Sequence, residues 1–404
     1  MLFDLKKFKL LCVLLVVILF PLLAGQYIPT EVKSISYALS LSMKAVLEFF
    51  MPFIIFSFVF SCLANLQKGA VFFVVLLITC VFISNFTALM VGYSSGCFGL
   101  NFFHFKAEAI KTATQLSPAW QLHLKKLIPN DIALLIGFFT GIFFSLRPTA
   151  WSKHMGVLLN KMANNFLKKI FIPLLPVFIL GFLFKLEYEK VLHTSLNLYG
   201  PILILIVATQ WLYLSFWYFI ASGANFKKLV SYLKNVLPAT LTGLSTISSA
   251  AAMPVLLVST EKNLNNTEKA RMLVPAIINI HTIGSAIGIP ILALATLSTF
   301  NLPLPSIQTF IIFAFYTALA KYAVAAVPGG VIIVVAPILE AHLGFSSDMI
   351  GLITAIYLIC DPFGTAANVT GNGAFPILFT RLYTKLGNIK LPVFGGRKTL
   401  AYKN

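Results

Sequence analysis

Long apolar runs, separated by short polar connectors, cover most of the chain. Runs near residues 8–24, 45–64, 70–92, 132–146, 170–184, 197–222, 271–299 and 349–380 reach or approach the roughly 20 residues a helix needs to cross a hydrocarbon core. Two further stretches, 236–258 and 306–339, are apolar but interrupted by small and polar residues. A bilayer offers the backbone no water to pair with, so helices are the predicted element throughout.

The pattern changes character along the chain. Residues 1–225 carry mostly uninterrupted runs and a polar connector over 104–131 that holds Pro118 and Pro129. This half reads as scaffold. From residue 226 to 385 the runs are broken by small residues, prolines and polar clusters, and 386–404 form a basic tail. Two broken pieces are alike: SSAAAMPVLLV at 248–258 and AVAAVPGGVIIVV at 323–335. Each precedes a span with a polar interruption, NIHTIGSAIG at 279–288 and DPFGTAANVTGNG at 361–373. A hairpin followed by an interrupted helix, twice over, is the pattern of repeats that meet at a midplane site in secondary transporters.

Composition agrees with a membrane setting: 59% of the residues are hydrophobic and 10% charged, against about a quarter charged in soluble domains. The net charge of +18 does not point to nucleic acid, because the basic residues lie in connectors and tails. Lys6, Lys7 and Lys9 precede the first run, and Arg381, Lys385, Lys390, Arg397, Lys398 and Lys403 follow the last. The positive-inside rule then places both termini in the cytoplasm, with an even number of crossings of a plasma (inner) membrane. The first run follows a basic stretch as a signal peptide does, but no clean small-residue cleavage site follows it, so it reads as a span. Cys12, Cys62, Cys80, Cys97 and Cys360 are odd in number and lack metal spacing, which suits packing residues and not disulfides. No metal box, nucleophile elbow or phosphate loop is present, and an enzyme is not expected.

Four segments resemble the dicarboxylate/amino acid:cation symporter family, the glutamate transporter homologues, over nearly the full length. They are FFMPFIIFSFV at 49–59, SSAAAMP at 248–254, AAVPGG at 325–330 and DPFGTAANVTG at 361–371. The resemblance implies an all-α membrane protein of eight transmembrane helices plus two re-entrant hairpins, built as inverted repeats. It also implies a homotrimer, a scaffold formed largely from 1–225, and a transport domain over 226–385 that moves as an elevator. The partners implied are the lipid bilayer and a small amino acid or carboxylate solute. Sodium or a proton would be the coupling ion.

Asp361 carries the strongest signal, since an unpaired carboxylate at membrane depth costs about 2.5 kcal/mol or more. Its plainer reading is a structural pair with a buried cation. By resemblance Asp361 holds the solute's amino group, while Thr365 and Asn368 bond its polar atoms. Positions 361, 365 and 368 share one helical face. Pro362, Gly364, Gly371 and Gly373 are expected to loosen the helix and free carbonyls for a cation. Ser249 matches a position touching the solute carboxylate, Val327 one that offers backbone only, and Ser285 a threonine near the solute's distal end. The two serines also suit close helix packing.

The departures are as informative. Gly364 stands where acidic-substrate members carry an arginine, which removes the natural partner of a second carboxylate. A neutral amino acid gains ground. In HTIGS at 281–285, His281 replaces a ligand asparagine and Ile283 a ligand aspartate, and Asn372 replaces another aspartate. Hard cations favour several oxygens, carboxylates among them. Lys321 stands where a serine approaches a sodium site. Its ammonium is expected to take the place of a bound sodium, with His281, of unperturbed pKa about 6.5, offering protonation. The plainer readings are a snorkelling lysine and a packing histidine. A passive channel, or a non-transporting solute-binding relative, is the rival function.

Overall fold

In the computed structural model, residues 9–64, 71–102, 115–125, 127–166, 169–170, 172–324 and 329–387 are described. They form no strand. The helices are α1 (Lys9–Ala24), α2 (Thr30–Ala64), α3 (Val71–Phe102), α4 (Asn130–Leu146), α5 (Ala150–Phe166), α6 (Ile172–Tyr188) and α7 (Val191–Ser222). They continue as α8 (Phe226–Thr246), α9 (Ser249–Leu264), α10 (Thr267–Ile277), α11 (Ile283–Thr299), α12 (Ile307–Ala320), α13 (Gly330–Leu343) and α14 (Ser347–Gly387).

Three described helices are long and apolar enough to cross a bilayer: Val75–Phe102, Tyr199–Ser222 and Ser347–Leu386. A bent pair in α2, Thr30–Leu47 and Phe49–Ser61, turns through 43° and would make a fourth. Pro52 lies in the second limb; it lacks the N–H that would bond residue 48, which accounts for the bend.

Two groups of helices pack together. α2 lies against α4, α5 and α6, while α11 runs along α3, α7 and α14, and α8 and α9 close against α14. Two helices of the first 225 residues, α3 and α7, therefore pack with the second half of the chain. α11 is buried over almost its whole length, and 89% of the most apolar stretch of α14 is buried inside the protein. Hydrophobic helices so enclosed form a protein core and not a lipid-facing wall. Close approach depends on small residues. A side chain at Gly92 of α3 would strike the backbone of Ile287 in α11.

A part-buried ionic network joins the two groups. Lys185 of α6 bonds Glu189 at 3.0 Å and Asp348, in the first turn of α14, at 2.6 Å. Tyr37 of α2 donates to the other oxygen of Asp348 at 3.2 Å. Lys33 pairs with Glu187 at 2.6 Å, and Lys44 of α2 reaches Glu340 of α13 at 2.6 Å and the Ser347 hydroxyl at 2.6 Å. In Lys185→Ala, Glu189 and Asp348 lose their shared cation. Removing one member of a buried pair leaves charge uncompensated, so a loss of roughly 2–4 kcal/mol is expected. Thermal unfolding in detergent measures it, and a midpoint equal to wild type would mean that water already screens these groups.

Candidate functional site

Two chain reversals and one broken helix converge on α14. In the first reversal α8 ends at Ile247, whose φ of 51° lies in the left-handed region, a costly conformation for a β-branched residue. The chain turns there, and the Ser248 side chain caps α9 by accepting from the Ala251 N–H. In the second, α12 passes through a short 3-10 turn, Lys321–Ala323. Residues 325–328 lie outside the described residues, Val327 with them, and Gly329 opens α13 with φ 71°.

The break between α10 and α11 covers residues 278–282. Its backbone groups need partners inside the protein, and two asparagines from other helices supply them. Asn85 of α3 donates to the Ile280 carbonyl at 2.8 Å and accepts from the Thr282 N–H at 3.1 Å. Asn368 of α14 accepts from Gly284 N–H at 2.8 Å and Ser285 N–H at 3.3 Å, capping α11 from outside.

Asp361 is 6% exposed. Its Oδ2 accepts from the Gly329 N–H at 2.8 Å, at the foot of the second reversal. Among the described residues it has no basic partner, so the structural ion pair is not what is found. Asp361, Thr365 and Asn368 line a small cavity with Ser248, Ser249 and Asn279, and Ile247, Ile278, Val324 and Val331 complete its walls with Thr282. The cavity measures about 30 Å³, the room of one or two waters. Anything much larger enters only if a wall moves.

Behind this cavity lies a second polar layer, which shares Thr282 with its wall. Lys321 is completely buried. Its Nζ donates to Thr282 Oγ1 at 3.0 Å, Ser285 Oγ at 3.1 Å and the Thr282 carbonyl at 3.3 Å. Three protons meet three oxygens, and no carboxylate among the described residues joins them. Lys321 is thus no snorkelling lysine. His281, also fully buried, bridges Ser84 Oγ at 2.8 Å from Nε2 and Asn372 Oδ1 at 2.7 Å from Nδ1. Its ring packs on Phe375, with centroids 4.5 Å apart.

The helix carrying DPFGTAANVTGNG corrects one expectation. It is not interrupted: α14 runs unbroken from Ser347 to Gly387 through Pro362 and Pro376. Its glycines serve contact instead of loosening. A side chain at Gly371 would strike Ile283, and one at Gly373 would strike Tyr218 and Val236. Gly284 of α11 meets the Gly364 carbonyl and Ala367 in the same way. Gly364 itself leaves bare space, with only the Ser285 N–H 3.9 Å from where a Cβ would stand.

Sequence reasoning missed Ser84, Asn85 and Asn279. A signal for the first two existed, since Ser84 and Asn85 interrupt an otherwise apolar run at 70–92. Free thiols at Cys80, Cys97 and Cys360 are seen; the side chains of Cys12 and Cys62 lie outside those described. No cluster of three metal-ligating side chains occurs among the described residues.

An all-helical membrane protein whose hairpins and broken helix enclose a lone carboxylate has the makings of a solute carrier. The pattern of the sodium:dicarboxylate symporter family matches residues 10–382. The chain belongs to that family, and it is an integral membrane protein from a family of cation-coupled symporters.

The close approach of α11 to α14 yields a paired test. Gly284→Ala forces those helices apart and is expected to cost about 1–3 kcal/mol and to weaken whatever binds at Asp361. Gly200→Ala, where nothing lies within 4 Å, should change neither. Equal melting curves for the two variants would refute the packing argument.

Proposed function

We propose that the protein is a secondary active symporter that carries a small amino acid or carboxylate solute, with Asp361 holding its ammonium group. The supporting observation is the position of Asp361: buried, lining a cavity between two helix reversals, and bonded in the described structure to a backbone N–H. Such a carboxylate gains from a cationic ligand what burial costs it. Thr365, the Nδ2 of Asn368 and the hydroxyls of Ser248 and Ser249 at the start of α9 are the partners for the solute's carboxylate. A helix N-terminus favours an anion there.

A single charge of the solute's carboxylate kind is what this site suits. Gly364 brings no guanidinium, and the protons of Lys321 are already spent on Thr282 and Ser285. Neutral amino acids fit better than dicarboxylates. The same lysine occupies an oxygen cage of the sort a hard cation would use, which speaks against sodium at that place. Coupling to protons is our reading. His281 can carry a second ring proton without losing a hydrogen bond, because Asn372 Oδ1 accepts at Nδ1 and a turn of the Ser84 hydroxyl lets it accept at Nε2.

The surrounding architecture in this reading has eight spans and two re-entrant hairpins, α8–α9 and α12–α13. Residues 226–385 move as an elevator against a scaffold drawn mostly from 1–225, in a homotrimer of the plasma membrane with both termini cytoplasmic. The filled cage and the missing acidic ligands favour one rival, a relative that binds solute without ion-driven transport.

Uptake of neutral amino acids into proteoliposomes, with and without sodium and at two external pH values, separates these readings. Flux indifferent to sodium and increased by an inward proton gradient is expected. Strict sodium dependence at a pH-independent rate would end the proton reading, and binding without flux would leave the rival. Asp361→Asn should weaken solute binding by about 10–100-fold, the worth of one charge-assisted hydrogen bond; unchanged affinity would make Asp361 a bystander.

A further inference from the structure

The helices of the second group come to a shared end. Asn235 of α8 donates to Asn263 Oδ1 of α9 at 2.8 Å, and Asn263 donates in turn to the Tyr232 carbonyl at 3.2 Å. Arg381 of α14 donates to the Ile220 carbonyl, in the last turn of α7, at 3.2 Å. At this end Lys227, Lys228 and Lys234 of α8, Lys262 of α9, and Arg381 and Lys385 of α14 are all exposed. None of the six has a carboxylate partner among the described residues. The nearby acids do not balance them: Glu261 pairs with Arg271 at 3.2 Å, and Glu268 brings a single charge. The basic tail at 388–404 adds charge of the same sign.

The exposed side of α8 changes character along its length. It is basic and polar over the first turns, at Lys227, Lys228, Ser231 and Lys234. Beyond them it is apolar, with Leu237 51% and Leu241 53% exposed. α9 takes the same step in the opposite chain direction, from Val258, 51% exposed, to Lys262 a turn later. Each change occupies about 5 Å of helix. In an integral membrane protein such a step marks the border between hydrocarbon and headgroups. Unpaired ammonium groups from both helices therefore stand at the depth of the lipid phosphates.

We infer that this end of the second helix group is a binding surface for anionic phospholipid headgroups. Charge complementarity selects the occupant. A zwitterionic headgroup offers a phosphate but carries its own ammonium, whereas an anionic one brings the net negative charge that the six cations lack. Lysine suits the task, since its stem lies along acyl chains while its ammonium reaches the phosphates. The surface is independent of the role given to Asp361. Ile247, Ser248 and Ser249, which line the solute cavity, lie at the opposite ends of α8 and α9.

The purified full-length protein, in a neutral detergent, is titrated with dioleoyl phosphatidylglycerol or dioleoyl phosphatidylcholine, and affinity is read from lipid-induced thermal shifts. The anionic lipid is expected to bind about tenfold more tightly, the worth of one or two lysines at a membrane surface. Raising NaCl from about 0.1 M to about 1 M should erase most of that preference. Inorganic phosphate should give no comparable shift. In the triple variant Lys227→Gln, Lys228→Gln, Lys234→Gln the two lipids should bind nearly alike. A control with Lys125→Gln and Lys190→Gln, which removes an exposed connector lysine and one at the far end of α7, should keep the preference. Should the triple variant not fold, Lys262→Gln with Lys385→Gln removes cations from the other two helices and should lower the preference several-fold. The inference is overturned if the two lipids bind the unaltered protein alike, if the preference survives loss of the α8 lysines, or if the control loses as much. A shift with inorganic phosphate equal to that with the anionic lipid would also overturn it, by making the surface a site for free anions.

Discussion

A helix broken inside a hydrocarbon layer exposes N–H and C=O groups that lipid cannot satisfy, and each would cost several kcal/mol if left alone. The break at residues 278–282 survives because two asparagines reach it from opposite sides. Asn85 holds its middle and end and Asn368 caps the helix that resumes after it. Those two side chains fix α3 and α14 against the break. They thereby decide where Asp361, Thr365 and Lys321 stand. The site is a consequence of satisfying the backbone.

Two lone charges sit in that arrangement, and their surroundings differ. Lys321 is saturated: its ammonium has an oxygen for each proton and ties the second reversal to the broken helix. Asp361 is held less firmly: it accepts from the Gly329 N–H, has no cation beside it among the described residues, and keeps acceptor capacity in reserve. The first has every proton engaged and the second has acceptor capacity left. Burial alone does not separate them, because both residues are buried.

Local pattern was enough to find the reversals, the interruption after 278 and the polar face of α14, since small residues, prolines and period-3.6 spacing are written in consecutive positions. It misjudged α14. Pro362, Gly364, Gly371 and Gly373 suggested a loosened helix, whereas tertiary packing keeps it continuous and uses Gly371 and Gly373 to admit Ile283 and Tyr218. The oxygen cage around Lys321 joins residues 36 and 39 positions apart, and Asn85 meets its partners across nearly 200. Such pairings have no trace in local spacing.

The short ion pairs of Lys44 with Glu340 and of Lys185 with Asp348 connect the α2–α6 layer to the end of α13 and the start of α14. Displacing one layer against the other would stretch both at once, and partial burial leaves them less screened than in bulk water. The described pose is therefore moored at one end. These pairs are partly exposed, so dissolved salt and the water that reaches those side chains set how firmly that mooring holds.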